Sequence, residues 1–257
     1  MSFKKINIAG FNLKLSDNFP AGGEFAGDSG DIIADASRGE PFTKLASSKF
    51  ANVFKFNLLF KSRVHSLILK QYLARKWSDV LMSGIGCGRA KRAFKAGLML
   101  QKNGFLTPPI AAAGKKGSKD FIITAEIKNS VPLYKILESK DPQRRSVIEQ
   151  FAQTVGQMHA KNIFHGDLRL GNVLVKSTDS KFDFYFLDNE RTKKFRKLPH
   201  KLRLKNLVQI NMLRTGISDA DRMRFFKEYL KQQNVKLDET ELALQIIART
   251  DERINGQ

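Results

Sequence analysis

The chain has 257 residues, and 45 Lys and Arg against 25 Asp and Glu give a formal net charge of +20. An apolar fraction of 42% suits a buried core, and the single cysteine, Cys87, excludes an internal disulfide framework and fits a reducing compartment. No window approaches the ~18 apolar residues of a membrane span, and Met1–Asp17 carries no apolar run of signal-peptide length, so a soluble protein made in the cytoplasm is expected.

The length allows one large domain or two small lobes. Residues 41–78 contain no acid, and neither does the run from Lys193 to Lys205. Such a field attracts polyanions: nucleic acid, an anionic leaflet or an anionic substrate. A merely solvated basic face is the competing reading. Nucleic acid ranks last among the partners, because no RNA- or DNA-binding motif accompanies the basic runs.

Residues 1–40 are rich in Gly and Asp and read as an N-terminal extension, partly irregular. From residue 41 the pattern is strands. Phe50–Phe60 is aromatic and β-branched, and Val64–Lys70 follows a short basic turn. A period of two places Val64, Ile68 and Lys70 on one face, read as the inward one. Gly84-Ile85-Gly86-Cys87-Gly88 leads into a predicted helix, Arg89–Asn103, which Gly104 ends before Thr107-Pro108-Pro109 forces an extended exit.

Phe121–Ala125 is a buried-type strand running into Glu126. Asp141-Pro142 is a helix start, and Val147, Ile148, Phe151, Val155 and Met158 form its apolar stripe. His159 lies at the end of that helix, where a histidine can bond terminal carbonyls, and is read as structural. After the basic run, Asn206–Leu213 is expected to be helical. Ser218-Asp219-Ala220-Asp221 then opens a helix buried through Met223, Phe226, Tyr229 and Leu230. A last helix covers roughly Glu239–Arg253.

Between these helices stands His165-Gly166-Asp167-Leu168-Arg169-Leu170-Gly171-Asn172, followed by Val173-Leu174-Val175 and by Asp188 at the end of an aromatic strand. This is the H-x-D-L-x-x-x-N catalytic loop of the protein-kinase architecture with its downstream acid. In that chemistry Asp167 accepts or orients the acceptor hydroxyl, Asn172 turns back to hold a metal, and Asp188 holds the metal that bridges the nucleotide phosphates.

Taken together, the chain resembles the lipopolysaccharide core kinases, the Kdo/heptose kinases, from about Pro41 to about Tyr229. The resemblance rests on Leu67-Ile68-Leu69-Lys70, Gly88–Arg92, Gly104–Pro108, Phe121–Thr124, Met158-His159, the catalytic loop, Leu187-Asp188 and Arg203–Leu207. It implies an α+β, two-lobed protein-kinase-like fold: a small antiparallel sheet with one main helix (41–125), then a mostly helical lobe (126–257). It also implies ATP as donor, Mg²⁺ held by Asn172 and Asp188, and Asp167 as catalytic base. Lys70, with Ser47 and Ser48 of the Leu45–Lys49 loop, would hold phosphates, and the crossover at Glu126 would hold adenine. Arg169 would neutralise the transferring phosphoryl group. The implied acceptor is a Kdo or heptose hydroxyl of a lipopolysaccharide precursor, an anionic glycolipid, met by peripheral contact with the cytoplasmic face of the inner membrane.

Three departures stand against this pattern. No Glu lies between Glu40 and Glu126, and the position of the usual helix glutamate reads Ala93, leaving Asp79 as one candidate acid to orient Lys70. The phosphate loop has no glycine. Asp188 is followed by Asn189-Glu190 rather than Phe-Gly, which argues against a phosphorylation-switched protein kinase. A kinase for a protein or small-molecule hydroxyl and a catalytically impaired nucleotide-binding module therefore stay open at this stage.

Overall fold

A computed structural model describes residues 3–8, 11–16, 42–60, 63–73, 88–116, 119–139, 141–178, 181–213, 215–234 and 238–256. Asp79 and Gly84–Cys87 lie outside the described residues. The chain divides into two compact units, Met1–Gly97 with Pro108–Glu126, and Leu98–Thr107 with Ile127–Gln257.

The first unit is built on one seven-stranded antiparallel sheet. In chain order its strands are β1 (Phe3–Ile8), β2 (Phe11–Ser16), β3 (Thr43–Leu45), β4 (Ala51–Phe60), β5 (Arg63–Tyr72), β6 (Ile110–Lys116) and β7 (Lys119–Ala125). Across the sheet they run β1-β2-β6-β7-β5-β4-β3. The N-terminal extension thus gives the sheet a hairpin, with β2 pairing against β6. The alternation of β5 sorts its side chains. Leu67 and Leu69 are buried on one face, while Ile68 and Lys70 lie half-buried on the other and Val64 is exposed. Tyr72, two residues beyond Lys70 on the same face, is buried as well.

Among the described residues this unit has one helix, α1 (Arg89–Lys102), which begins directly after Gly88. Its buried side is made of small residues, Ala90, Ala93 and Ala96, with Phe94, which lets a helix lie close. Gly104, at φ +84°, ends it: the Gly104 and Phe105 amides donate back to Gln101 and Leu100 carbonyls. The last turn of α1, from Leu98, belongs to the second unit.

The second unit continues with β8 (Ser130–Pro132), α2 (Leu133–Glu138), α3 (Arg144–Ala160), β9 (Ile163–Phe164), β10 (Val173–Thr178), β11 (Lys181–Phe186) and β12 (Lys193–Lys194). It closes with α4 (His200–Asn211), α5 (Asp219–Leu230) and α6 (Glu239–Asn255). The stripe Val147, Ile148, Phe151, Val155 and Met158 of α3 is buried throughout and forms the middle of the core with Leu168, Val173, Phe186 and Leu204. At the start of α3, Asp141 Oδ1 accepts the Gln143 amide at 2.7 Å, so the helix begins two residues after Pro142 rather than at it.

Two expectations need correcting. The helix expected at Asn206 starts at His200, straight after Pro199, and absorbs half of the basic run. Arg203 from that run is buried and donates to Tyr229 Oη and to Gln233 Oε1. On α5 the capping box of Ser218 and Asp221 forms as expected, but Met223 is exposed. Six residues separate Met223 from buried Tyr229, roughly 120° around the helix at 3.6 residues per turn, whereas Phe226 stays within about 60°.

Candidate active site

The catalytic loop hangs between β9 and β10, in the second unit. Its first residue, His165, is fully buried and bonds at both ring nitrogens. Nδ1 accepts the Asp167 amide at 3.2 Å, so Nε2 carries the proton and donates to Leu187 O at 3.0 Å and Asn189 Oδ1 at 3.1 Å. Burial lowers its pKa from 6.5 to about 4, which keeps the ring neutral. Asn189, standing where a protein kinase has phenylalanine, thereby latches the loop, while its own amide donates to Phe186 O. Gly166 allows the close approach of the next segment: a Cβ there would lie 2.1 Å from Arg191 Cβ.

Asp167 is held from three sides. Arg169 donates from Nε to Oδ1 (2.9 Å) and from Nη2 to Oδ2 (2.8 Å), and Gln209 Nε2 donates to Oδ1 (3.2 Å). Asn172 Nδ2 donates to the Asp167 carbonyl at 2.9 Å, which ties the Asn172 side chain back onto the loop. Asp188 adopts left-handed backbone, φ 55° and ψ 44°, just before a short 3-10 turn at Asn189–Arg191. A non-glycine residue in that region costs energy, and such strain concentrates at functional sites. No group of three or more His, Cys, Asp or Glu able to hold a metal occurs among the described residues. One carboxylate and one amide fit Mg²⁺, which is bound by few protein ligands together with substrate phosphates.

A buried polar network lies under the loop. Asn206 on α4 accepts the His165 amide and donates to the His165 carbonyl, at 3.1 and 2.7 Å. His159 Nε2 donates to Asn206 Oδ1 (3.2 Å), and its Nδ1 accepts from Tyr229 Oη (2.9 Å). Burial, with Arg203 nearby, lowers the His159 pKa to about 3. His159 is structural, but through these side chains rather than through helix-end carbonyls. Asn206, Gln209 and Tyr229 were not marked as site residues in the sequence. For Asn206 and Gln209 the signal was polar residues on the inner side of a helix, legible once the bounds of α4 are known, and Tyr229 was expected only as part of the buried face of α5.

In the first unit, Lys70 pairs in register with Val53 and Ile122, so these share a sheet face. Its Nζ lies 5.4 Å from the centre of the Tyr72 ring. Ala93 is buried. Asp120 shares Lys70's face: it pairs with Tyr72, is diagonal to Lys70, and is buried. A Cβ at Gly88 would lie 1.8 Å from its Oδ2, so that glycine makes room for the carboxylate. Glu126 donates its backbone N–H to Ser66 O at 3.0 Å and its carboxylate meets Lys55 Nζ at 2.7 Å. Ser47 Oγ donates to Ala51 O (2.8 Å) and Ser48 Oγ accepts the Phe50 amide (3.4 Å), so both hydroxyls brace the turn into β4. Lys44, Lys49 and Asn52 join them around an open hollow of about 470 Å³.

Among the described residues, an antiparallel sheet with one helix, a mostly helical unit and a His-x-Asp loop define a protein-kinase-like fold. The fold is similar to that of WaaP in complex with acyl carrier protein, at 19% identity and a TM-score of 0.67, covering 93% of this chain and 98% of that one. It is also similar to an aminoglycoside-3'-phosphotransferase of type VIII, at 13% identity and a TM-score of 0.57, covering 86% and 98%. A comparison with curated proteins finds no match. The model of the lipopolysaccharide kinase (Kdo/WaaP) family matches residues 51–229, well over half of the sequence, and the chain belongs to that family. It is a kinase of the lipopolysaccharide core.

Proposed function

We propose that the protein transfers the γ-phosphoryl group of Mg-ATP to a Kdo or heptose hydroxyl of the inner core, with Asp167 as the base. The observation that carries this is the Asp167 carboxylate, locked in place by Arg169, Gln209 and the Asn172-braced loop. The nucleotide supplies the phosphoryl group, and Asn172 and Asp188 would hold Mg²⁺, which when bound would supply charge neutralisation for the phosphates. Asp167 takes the proton as the acceptor oxygen bonds to phosphorus and the bond to the β–γ bridging oxygen breaks. Arg169 meets the charge that spreads over the equatorial oxygens.

Lys70 is assigned to the nucleotide phosphates, with the turn at Ser47 and Ser48 and its bordering lysines beside it. The Glu126 crossover, whose carboxylate is committed to Lys55, is assigned to the adenine. Asp120 is the carboxylate we assign to orient Lys70 in place of the missing helix glutamate, supported by its shared sheet face and burial. Among the described residues no helix is long and apolar enough to cross a membrane. Lys193, Lys194, Arg196, Lys197, Lys201 and Lys205 are all exposed, which supports peripheral docking on an anionic leaflet at the cytoplasmic face of the inner membrane.

Incubation with Mg-ATP and core oligosaccharides, followed by mass measurement, tests the reading. One added phosphate on a Kdo- or heptose-bearing acceptor is the expected result, and no transfer to any of them refutes it.

A second reading concerns a partner. The helical unit holds an apolar cavity of about 530 Å³, lined by residues that include Leu133, Phe151, Leu207 and Ile246. With a relative solved in complex with acyl carrier protein, this cavity supports a role in holding an acyl chain presented by such a carrier. Gel filtration with acylated and unacylated carrier decides it: only the acylated form should co-elute.

A further inference from the structure

Gln209 sits on α4, 4% exposed, three residues after Asn206 and on the same side of the helix. Its Oε1 accepts the Leu168 amide at 3.1 Å and Asn206 Nδ2 at 3.0 Å. Two donors on the oxygen fix which way the amide faces, so Nε2 is the atom at Asp167 Oδ1. Asn206 does the corresponding work one helical turn earlier, on the backbone of His165. The two partners of the Asp167 carboxylate therefore differ in kind. Arg169 is 61% exposed and able to leave, whereas Gln209 is buried and held by its neighbours.

We infer that Gln209 is the permanent positioning residue of the base. It pins Oδ1 and leaves Oδ2 as the atom that takes the acceptor proton once Arg169 turns to the phosphoryl group. The inference rests on Asp167 being the base. The acceptor O–H bond breaks, its oxygen bonds to phosphorus, the bridging oxygen leaves with ADP, and the proton goes to Oδ2.

A pair of substitutions separates this role from simple support of the loop. Gln209→Glu keeps an acceptor for the Leu168 and Asn206 N–H groups but removes the donor to Asp167 and sets a like charge against it. With Mg-ATP and a deacylated inner-core oligosaccharide, its kcat should fall about 10²-fold, the loss typical of a single catalytic hydrogen-bond donor. KM for ATP should stay near wild type, while the buried like charge lowers the unfolding temperature, so kcat is read well below it. Gln209→Met, close in shape and lacking the donor, covers the case in which the glutamate variant does not fold, and should lose kcat in the same way. Wild-type turnover in either folded variant overturns the inference, as does a loss that only tracks stability. Asp167→Asn runs in parallel. If it retains turnover, the base assignment itself is wrong; if it is dead while Gln209→Glu is fully active, only the role of Gln209 is lost.

Discussion

Arg169 grips Asp167 through both carboxylate oxygens, Nε to Oδ1 at 2.9 Å and Nη2 to Oδ2 at 2.8 Å. The planar fork fits the planar carboxylate, an arrangement lysine cannot reproduce. Because Arg169 is 61% exposed, the pair contributes little to stability, so its cost or benefit falls on catalysis. Arg169→Ala should reduce kcat by roughly 10²-fold with the unfolding temperature unchanged, and Arg169→Lys should restore part of the loss. Steady-state kinetics beside thermal melts check this; equal turnover in all three proteins would remove Arg169 from the mechanism.

Asp188, proposed above as a metal ligand, has left-handed backbone. Asparagine tolerates the left-handed region and keeps one ligand oxygen but loses the charge. Asp188→Asn should therefore raise the Mg²⁺ concentration needed for half-maximal activity about 10-fold or more while leaving the fold intact. A magnesium titration at saturating ATP reads it directly, and an unshifted curve would argue against ligation by this residue.

His159 is neutral because it is buried, its pKa lowered to about 3 from 6.5. Between those values the unfolded chain binds a proton that the folded one does not, so stability falls as the pH drops below about 6.5 and is fully present above it. The slope from this one group approaches ~1.4 kcal/mol per pH unit. Melting curves from pH 7 to 4.5 should show a shallower decline for His159→Gln than for wild type, even if the variant starts lower. Parallel curves would mean that the histidine is not the titrating group.

Gly166 has no room for a side chain, since its Cβ would meet Arg191 at 2.1 Å and the Arg191 backbone at 2.6 Å. Gly166→Ala must push the Asn189–Arg191 turn away from the loop, at a cost of roughly 1–3 kcal/mol. Both denaturant midpoint and kcat should fall, because Asn189 holds His165 from that turn. A fully active, equally stable variant would contradict the packing described.

Asp120 offers the test of the nucleotide assignment. Asp120→Asn should raise KM for ATP several-fold with a smaller change in kcat. Gly88→Ala, whose Cβ would lie 1.8 Å from Asp120 Oδ2, should do the same by displacing the carboxylate. Isothermal titration with an ATP analogue measures both; unchanged affinity in both would return the question of what orients Lys70 to other residues.

Much of the outline could be read from local patterns. Alternation marked β5, and the apolar stripe from Val147 to Met158 marked α3. Gly104 stopped α1 where its left-handed conformation was needed, and the Ser218/Asp221 pair started α5. Each of these signals lies within a few residues of chain. Where the expectation for Arg203 slipped, a longer-range effect prevailed. Arg203 looks like one more surface cation, yet it is drawn inside by Tyr229 and Gln233, some thirty residues on. Met223 looks like core, yet its angle around α5 takes it outward.

By itself the sequence determined the chemistry on offer. The spacing of His165, Asp167 and Asn172, with Asp188 downstream, is a short-range constraint written in one stretch of chain and recognisable as such. The fold alone decided who holds that stretch. Asn206 and Gln209 reach the loop from 41 or 42 residues away, and Asp120 comes to the face of Lys70 only through strand register. Buried polar groups must find partners wherever packing places them. Those partners leave no periodicity behind, so they appear only when the chain is folded.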